Sequence, residues 1–248
     1  MKALCFDAHG ELDVLRFGDV LDVTPGADEA SIRVRACALN HLDIWVRRGW
    51  PGLNLEMPHW CGADVAGEIA ALGDGVSGWD IGQTVVVDPG ISTVEDAHTR
   101  RGEDSLSPGY QILGEHIRGG AAEFVAVPAR NLHPMPEDLD FPAAAAPLLV
   151  GLTAWRMLIH QARLRAGERV LIVGAGGGVN SMAIQLAKLS EARITIVNCY
   201  AVLDTALEIS GVFAREVRKS AEKHAAAILE KTAQRIKMAG VVYTTRAI

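Results

Sequence analysis

The stretch VLIVGAGGGVNSMAIQLAKL (residues 170–189) combines three patterns that decide the fold of its part of the chain. VLIV is typical of a buried strand, GAGGG of a tight turn, and the remainder has apolar residues at helical spacing. A strand that passes through glycines into a helix presents backbone N–H groups to an anion such as a diphosphate. A tight turn that binds no ligand has the same pattern, so both interpretations stay open here. The spacing is Gly174-x-x-Gly177-x-x-Asn180, with Gly176 and Gly178 as additional glycines.

Further elements of a parallel α/β sheet lie on both sides of this stretch. AAAAPLLVGLTAWRMLIHQAR (143–163) predicts a helix before it, and ARITIVNCY (192–200) predicts a buried strand after it. A long helix is then predicted from Arg215 to Ala239, and VVYTT (241–245) begins a third strand. The order β-α-β-α-β is the first half of a doubly wound parallel sheet. The apolar stripe of the long helix comprises Val217, Ala221, Ala225, Ile228, Thr232 and Ile236.

Residues 1–130 predict an all-β domain, because short apolar runs alternate with turn signals such as Pro89-Gly90. The run at 31–39 alternates as a half-buried strand should. Its inner face is predicted to carry Ile32, Val34 and Ala36, and its outer face Arg33, Arg35 and Cys37. The other predicted strands lie at 63–73, 84–88 and 121–128.

Composition excludes several classes of protein. With 248 residues, 49% of them hydrophobic and 22% charged, the chain predicts one large or two ordinary globular domains. The longest apolar stretch, residues 141–150, is much shorter than the ~20 residues of a membrane span. The first residues have no leader pattern and the four cysteines are far apart, so we expect a cytoplasmic protein with reduced thiols.

The net charge of −6 is unevenly distributed. Residues 1–189 carry 24 acidic and 15 basic side chains, whereas residues 190–248 carry 6 acidic and 9 basic ones. The basic excess of the last segment is too small to predict a nucleic-acid-binding face. The change in charge indicates instead that the last 60 or so residues have a different origin.

Four further segments, together with 170–189, resemble the medium-chain dehydrogenase/reductase superfamily, in particular its quinone-oxidoreductase-like and alcohol-dehydrogenase-like members. The resemblance implies a GroES-like β-barrel domain followed by a partial Rossmann-like α/β domain. We therefore predict a GroES-like domain at 1–130, the start of a Rossmann domain at 131–189, and a third segment at 190–248. The four segments are ALNHLDIWVRRGWPG (38–52), PHWCGADVAGEI (58–69), YQILGEHIRGGAAEFVAVPARNL (110–132) and GLTAW (151–155).

The resemblance implies NAD or NADP as the cofactor. Thr153 would lie near the nicotinamide ring. The strand that should end near the adenosine ribose ends with Asn198, Cys199 and Tyr200, so the sequence does not distinguish NAD from NADP. The predicted diphosphate-binding residues are Gly174, Gly176, Gly177, Gly178 and Asn180.

The zinc ligands of many family members are replaced in this chain. The catalytic ligand positions fall on Asn40, Ala63 and Leu149, and only Asp64 keeps a carboxylate. The structural-lobe ligand positions fall on Thr93, Asp96, Thr99 and Ser107. Since three hydroxyls with one carboxylate are poor zinc ligands, we expect no zinc.

Asn40 and Asp64 are the candidate catalytic residues of a polar pocket to which His41, Asp43 and His59 could contribute. The alternative is that Asp43 and Asp64 only accept backbone hydrogen bonds at turns. Cys37 is interpreted as a small buried hydrophobic residue, and Cys61 as a reserve metal ligand at most.

Without zinc, a quinone or enone is an easier hydride acceptor than a ketone, because its charge delocalises. The sequence therefore predicts an NAD(P)-dependent, zinc-independent oxidoreductase with a small-molecule substrate, as a homo-oligomer without nucleic-acid or membrane partners. Residues 190–248, however, resemble the universal stress protein family, which leaves the cofactor domain incomplete and can leave the enzyme inactive.

Two alternatives to this enzyme stay open. One is a non-catalytic nucleotide-binding module whose strand edge at Val241–Thr245 pairs with a second copy. The other is a chain without a selected function, produced by a junction between Lys188 and Ser190.

Overall fold

The structure is a computed structural model that describes residues 1–198, 223, 227, 230 and 243–247. The chain divides into two compact units, Met1–Leu149 and Val150–Ile248. The helices are α1 (His41–Arg48), α2 (Phe141–Ala145), α3 (Leu148–Trp155) and α4 (Gly178–Leu189). The strands are β1 (Lys2–Cys5), β2 (Arg16–Asp19), β3 (Glu29–Ala38), β4 (Asp64–Leu72), β5 (Thr84–Val87), β6 (Gly90–Ser92), β7 (Tyr110–Ile112), β8 (Phe124–Pro128), β9 (Leu132–Pro134), β10 (Arg169–Val173), β11 (Arg193–Asn198) and β12 (Tyr243–Ala247).

The first unit is built on a five-stranded antiparallel sheet in the order β8-β3-β4-β5-β9. Its β-branched residues alternate along the strands, so that Ile32, Val65, Val85 and Val127 are buried together in one core. Two smaller antiparallel pairs, β1-β2 and β6-β7, complete the strands of this unit. The all-β character expected for residues 1–130 is therefore observed, apart from α1 and short 3-10 turns.

A bulge in β3 changes the predicted faces of that strand. The pairing of β3 with β4 shifts register between Val34 and Ala36. Cys37 consequently packs against the same core as Val34, while Ala36 packs against a second cluster around Ala66. The prediction that Cys37 shares the outer face with Arg33 and Arg35 is wrong, because an extra residue in a strand turns every later side chain to the other face.

The second unit contains a parallel sheet in the order β10-β11-β12. Helix α4 packs on one face of it, where Ile172, Ile184 and Ile196 are buried. The third strand is observed at Tyr243–Ala247, and residues 241–242 of its predicted start lie outside the described residues.

The predicted helix Arg215–Ala239 and its apolar stripe lie outside the described residues. Only Lys223, Ala227 and Glu230 of that region are described, and they are helical and exposed. Cys199 and Tyr200, at the predicted ribose-reading end of β11, also lie outside the described residues.

The second face of β10 is open to solvent. Leu171 and Val173 are 63% and 53% exposed, whereas Ile172 between them is 5% exposed. The predicted buried strand is therefore buried on its Ile172 face, while its Leu171 and Val173 face is exposed. Helix α4 covers the Ile172 face, and a parallel sheet needs a second layer to bury the other.

One helical run among the described residues, Phe141–Gln161, has the length and composition of a membrane span. It has 21 residues and a mean hydropathy of 1.4. This differs from the sequence-based expectation, which counted uninterrupted apolar residues, because the helical run continues beyond residue 150 to Gln161. The core helix of a water-soluble protein can have the same length and composition, so the finding is weak evidence for a membrane.

Candidate functional site

The positions that resemble the family's catalytic ligand positions meet in the first unit. Asp64 is the first residue of β4 and is almost completely buried. Its Oδ2 accepts a 2.8 Å hydrogen bond from Nδ2 of Asn40. Its Oδ1 accepts a 2.7 Å hydrogen bond from the backbone N–H of Leu149. Three segments distant in sequence are thereby joined through one carboxylate.

Asp43 supports the same cluster from α1. Its carboxylate accepts a 2.6 Å hydrogen bond from the N–H of Asn40, which precedes the helix, and a 3.2 Å bond from the N–H of Gly62. Such an acceptor in the first turn fixes the start of α1 and holds Asn40 in place. Both Asp43 and Asp64 therefore accept backbone hydrogen bonds, as the alternative interpretation expects. Asp64 also accepts a bond from the side chain of Asn40.

Burial controls the electrostatics of this cluster. It raises the pKa of Asp64 to about 6, although the hydrogen bonds from Asn40 and Leu149 act in the opposite direction. Burial also raises the pKa of Asp43. A carboxyl group with a pKa near neutrality can hold or release a proton at physiological pH, which is the property that acid–base chemistry requires.

The two histidines suggested for the pocket lie elsewhere. His59 is buried, and its Nε2 lies 3.2 Å from the carbonyl of Gly114. Burial lowers the pKa of His59 to about 4, so it is neutral and structural. His41 is exposed and packs edge-on against Trp45, with ring centroids 5.2 Å apart.

The glycine-rich turn belongs to the second unit and has the shape of an anion cradle. Gly174 has a φ of +77°, which favours glycine. A Cβ built on Gly176 would meet no atom within 4 Å, and one on Gly177 only the Gly174 carbonyl at 3.9 Å. The twelve-residue helix α4 begins at this point, so its first N–H groups have no carbonyl of a preceding helical turn to bond to.

The remaining predicted cofactor residues have different surroundings. Asn180 donates from Nδ2 to the carbonyls of Val173 and Gly174, at 2.7 and 2.8 Å. These two bonds tie the start of α4 to the end of β10 and act as a clamp on the turn. A Cβ on Gly178 would lie 3.0 Å from Val150, which indicates close packing there. Thr153 is exposed on α3. The sequence pattern did not reveal the clamp, since an asparagine in a helix is compatible with many contacts.

The donor atoms at the catalytic ligand positions do not fit zinc. Zinc sites use thiolate, imidazole and carboxylate ligands at about 2.0–2.3 Å. Here an amide, a methyl group and a leucine side chain stand at Asn40, Ala63 and Leu149, and Asp64 is engaged by two donors. Within residues 1–198 and the few described beyond them, no three His, Cys, Asp or Glu side chains group as a metal site.

In the loop between β6 and β7, hydrogen bonds connect the residues at the structural-lobe positions. The Asp96 carboxylate accepts bonds from the Oγ of Ser107 at 2.9 Å and from the N–H groups of His98 and Thr99 at 2.7 and 3.0 Å. Thr93 donates from Oγ1 to the carbonyl of Gly109 at 2.9 Å. These bonds lower the pKa of Asp96. The side chains at all four predicted positions thus take part in hydrogen bonds within this loop.

The comparisons with known proteins agree with this geometry. Residues 26–137 match the alcohol dehydrogenase GroES-like domain. The quinone oxidoreductase of Rattus norvegicus is 34% identical over 195 residues, which are 78% of this chain and 51% of that protein. The NAD-dependent alcohol dehydrogenase of Sulfolobus acidocaldarius is 31% identical over 193 residues, 76% of this chain and 55% of that protein.

A solved structure of an NAD-dependent alcohol dehydrogenase superimposes with a TM-score of 0.78. It is 41% identical and covers 88% of this chain and 61% of its own. These matches support a relation of the chain to the medium-chain dehydrogenase/reductase superfamily. The GroES-like and Rossmann-like arrangement predicted from the sequence is confirmed.

The chain spans about half the length of the curated relatives it matches. None of the relatives named above is a universal stress protein, so the resemblance of residues 190–248 to that family stays a prediction.

Proposed function

We propose that this chain is an NAD(P)-dependent oxidoreductase of the zinc-independent medium-chain type, which reduces a quinone, an enone or a similar neutral carbonyl compound. The open backbone of the glycine turn carries the proposal. Gly176 and Gly177 leave space above the N-terminus of α4 that any side chain would reduce. A dinucleotide diphosphate fits such a site by charge and by shape. When bound, the nicotinamide would supply the hydride.

The chain's own residues would bind and orient the reactants. The N–H groups at the start of α4 would bind the diphosphate, and Asn180 would keep the turn in its binding shape. Asn40 and Asp64 remain the proposed pocket residues, and the raised pKa of Asp64 would let it hold a proton near neutral pH. Thr153 remains the proposed neighbour of the nicotinamide.

The hybrid character of the cofactor domain belongs to the same proposal. The division at 1–130, 131–189 and 190–248, the origin of the last segment in a stress-protein-like sequence, the homo-oligomer and the cytoplasmic location are all parts of it. A chain with such a hybrid domain can bind the cofactor and still be inactive.

One observation favours a second candidate, a non-catalytic nucleotide-binding module that dimerises. Strand β12 lies at one edge of the sheet and pairs with β11. Among the described strands nothing pairs with its outer edge, and such edges bind further strands.

Titration with NADPH, NADH and ATP, followed by fluorescence, distinguishes the two candidates. Binding of a dinucleotide together with reduction of a quinone supports the oxidoreductase. Binding of ATP alone, or dimerisation without turnover, supports the module.

The substitution Gly177→Val tests the cradle. Gly177 has φ −80° and ψ 155°, which any residue adopts, so the variant should fold normally. Its isopropyl group should abolish dinucleotide binding, with Gly177→Ala intermediate. If the folded Gly177→Val variant binds NADPH like the parent, the cradle is assigned wrongly.

A further inference from the structure

A cavity in the first unit collects exposed apolar side chains from separate segments. It has a volume of about 760 Å³ and lies between the β1-β2 pair, α1 and the end of β3. This volume is within the range of ~300–1,000 Å³ that is usual for small-molecule sites. Large exposed apolar residues are normally scattered, and a group of them around one concave surface marks a binding site. The exposed apolar residues that line the cavity are Leu4, Leu12, Phe17, Leu39 and Ile44.

The basic groups on the cavity wall are already paired within the protein. Lys2 Nζ lies 2.7 Å from Asp19. Arg48 lies 3.1 Å from Glu11, and the buried Arg47 donates a 2.7 Å bond to the carbonyl of Gly10. No cation of this wall is therefore available to neutralise a bound anion.

The acidic groups are paired in the same way. Glu11 is held by the arginines of α1, and Glu123 accepts a 2.7 Å bond from the N–H of Lys2. Asp43 accepts the N–H groups of Asn40 and Gly62. A charged ligand would lose its hydration without gaining a partner, which is costly.

The two thiols on the wall are uncharged at neutral pH. Burial raises the pKa of both Cys37 and Cys61 to about 12. A protonated thiol behaves as a small, polarisable apolar group. The wall therefore offers apolar and neutral surface, with its charges compensated.

We propose that this cavity binds a neutral, apolar small molecule. The cavity meets the Asn40–Asp64 cluster at Asp43, but the side chains of Asn40 and Asp64 bond to each other and do not line it. It does not depend on the proposed oxidoreductase function, and it would exist in a chain that never bound a dinucleotide.

Two fluorescent dyes of the same ring skeleton test the proposal. Phenylnaphthylamine is neutral, and anilinonaphthalene sulfonate is the same skeleton with one negative charge. Titrated into the full chain, the neutral dye should bind with a stoichiometry of one per chain. The anionic dye should bind the same place at least about tenfold more weakly, because no cation on the wall is free.

Single substitutions locate the bound dye. Leu39 and the control residue Leu21 are both 86% exposed, but only Leu39 lines the cavity. Leu39→Ser should weaken binding of phenylnaphthylamine about tenfold, because the ligand loses an apolar wall. Leu21→Ser should leave the affinity unchanged. Both side chains are on the surface, so neither variant should affect folding.

Three outcomes would overturn the proposal. One is equal or tighter binding of the anionic dye. Another is the same affinity in Leu39→Ser and Leu21→Ser. The third is an affinity for the neutral dye that falls as protein concentration rises, since a second copy of the chain would then fill the cavity.

Discussion

At the scale of single residues, the carboxylate of Asp64 connects three separate segments of the chain by hydrogen bonds. It brings together the residue before α1, the first residue of β4 and the second residue of α3. Its bond to the Leu149 N–H satisfies one of the donors that every helix leaves unpaired at its start. The negative charge also interacts favourably with the helix N-terminus. Burial of that charge is the opposing cost, which appears as a raised pKa.

The stability of the protein should therefore depend on pH through Asp64. Its pKa is about 6 in the folded chain and 3.8 as a reference value. The folded state binds the proton more tightly, so the contribution of this group to the free energy of unfolding falls as pH rises from about 4 to 6. The change is on the order of 3 kcal/mol. Urea unfolding of the parent and of Asp64→Asn from pH 4 to 7 measures it.

The Asp64→Asn variant is the reference for the parent protein, because an asparagine side chain does not titrate. The stability difference between parent and Asp64→Asn should shift in favour of the variant as pH increases. A difference that is constant from pH 4 to 7 would show that Asp64 keeps an ordinary pKa.

Asn180 should matter for dinucleotide affinity without touching the ligand. Asn180→Ala removes the two bonds to the carbonyls of Val173 and Gly174. At about 1 kcal/mol for each bond, a looser turn should cost roughly tenfold or more in the affinity for NADPH. Ser181→Ala, which removes only a bond to the nearby Gly178 carbonyl, is the control. Equal affinities in the two variants would contradict the clamp.

The sequence could predict residue positions better than residue contacts. The resemblance to the family located Asn40, Asp64 and Leu149, and the structure brings these residues together. The clamp by Asn180 could not be predicted, because it depends on the rotamer of one side chain. The cavity wall was also missed, because Phe17 and Leu39 become neighbours only when remote segments pack.

At the scale of elements, three hydrogen bonds of the loop between β6 and β7 share one acceptor, the carboxylate of Asp96. Asp96→Ala removes the acceptor of three hydrogen bonds and should increase amide exchange across residues 93–109. Glu95→Ala is the matched control, since this neighbour forms only an exposed ion pair with Arg100. Unchanged exchange in Asp96→Ala would show that the loop is held by other contacts.

Zinc content follows from the same side chains. We expect the purified protein to retain no stoichiometric zinc, because hydroxyls and one carboxylate replace the thiols of the lobe. Ser107 and Thr93 are hydrogen-bonded as neutral groups. Elemental analysis after dialysis against a chelator measures this directly. About one zinc per chain after that treatment would overturn the zinc-free assignment.

Elements were predicted well where their periodicity was simple. The strand–turn–helix at 170–189 appears as β10 and α4, because both patterns are long and uninterrupted. The faces of β3 were predicted less well, because a bulge leaves no mark in the alternation of residues before it.

At the scale of the whole molecule, the open parallel sheet should promote self-association. Leu171 and Val173 are exposed on β10, whose outer edge pairs with no other described strand, and β12 forms the other edge. We expect dimers or larger species whose fraction rises with concentration, through these edges and residues 241–248. Light scattering measures this. A monodisperse monomer at high concentration would contradict it.

A charge on the open face should reduce association. Leu171→Lys places an ammonium group beside β10, where a second sheet would have to desolvate it. Ile81→Lys is the control, because Ile81 is similarly exposed, at 69%, but lies in the first unit. If both variants associate like the parent, the open sheet is not the interface.

The hydrogen bond between Asp64 and Leu149 also has a consequence for the order of events in folding. The two residues are separated by 85 positions, so the acceptor reaches the helix only after the intervening chain has closed a long loop. Contacts of such high sequence separation form late in folding. In refolding experiments the fast phase should therefore report the pairing of β3 with β4, and not that of β3 with β8, whose partners lie even farther apart in the sequence than Asp64 and Leu149. Asp64→Asn should then accelerate unfolding and leave the rate of that fast phase nearly unchanged.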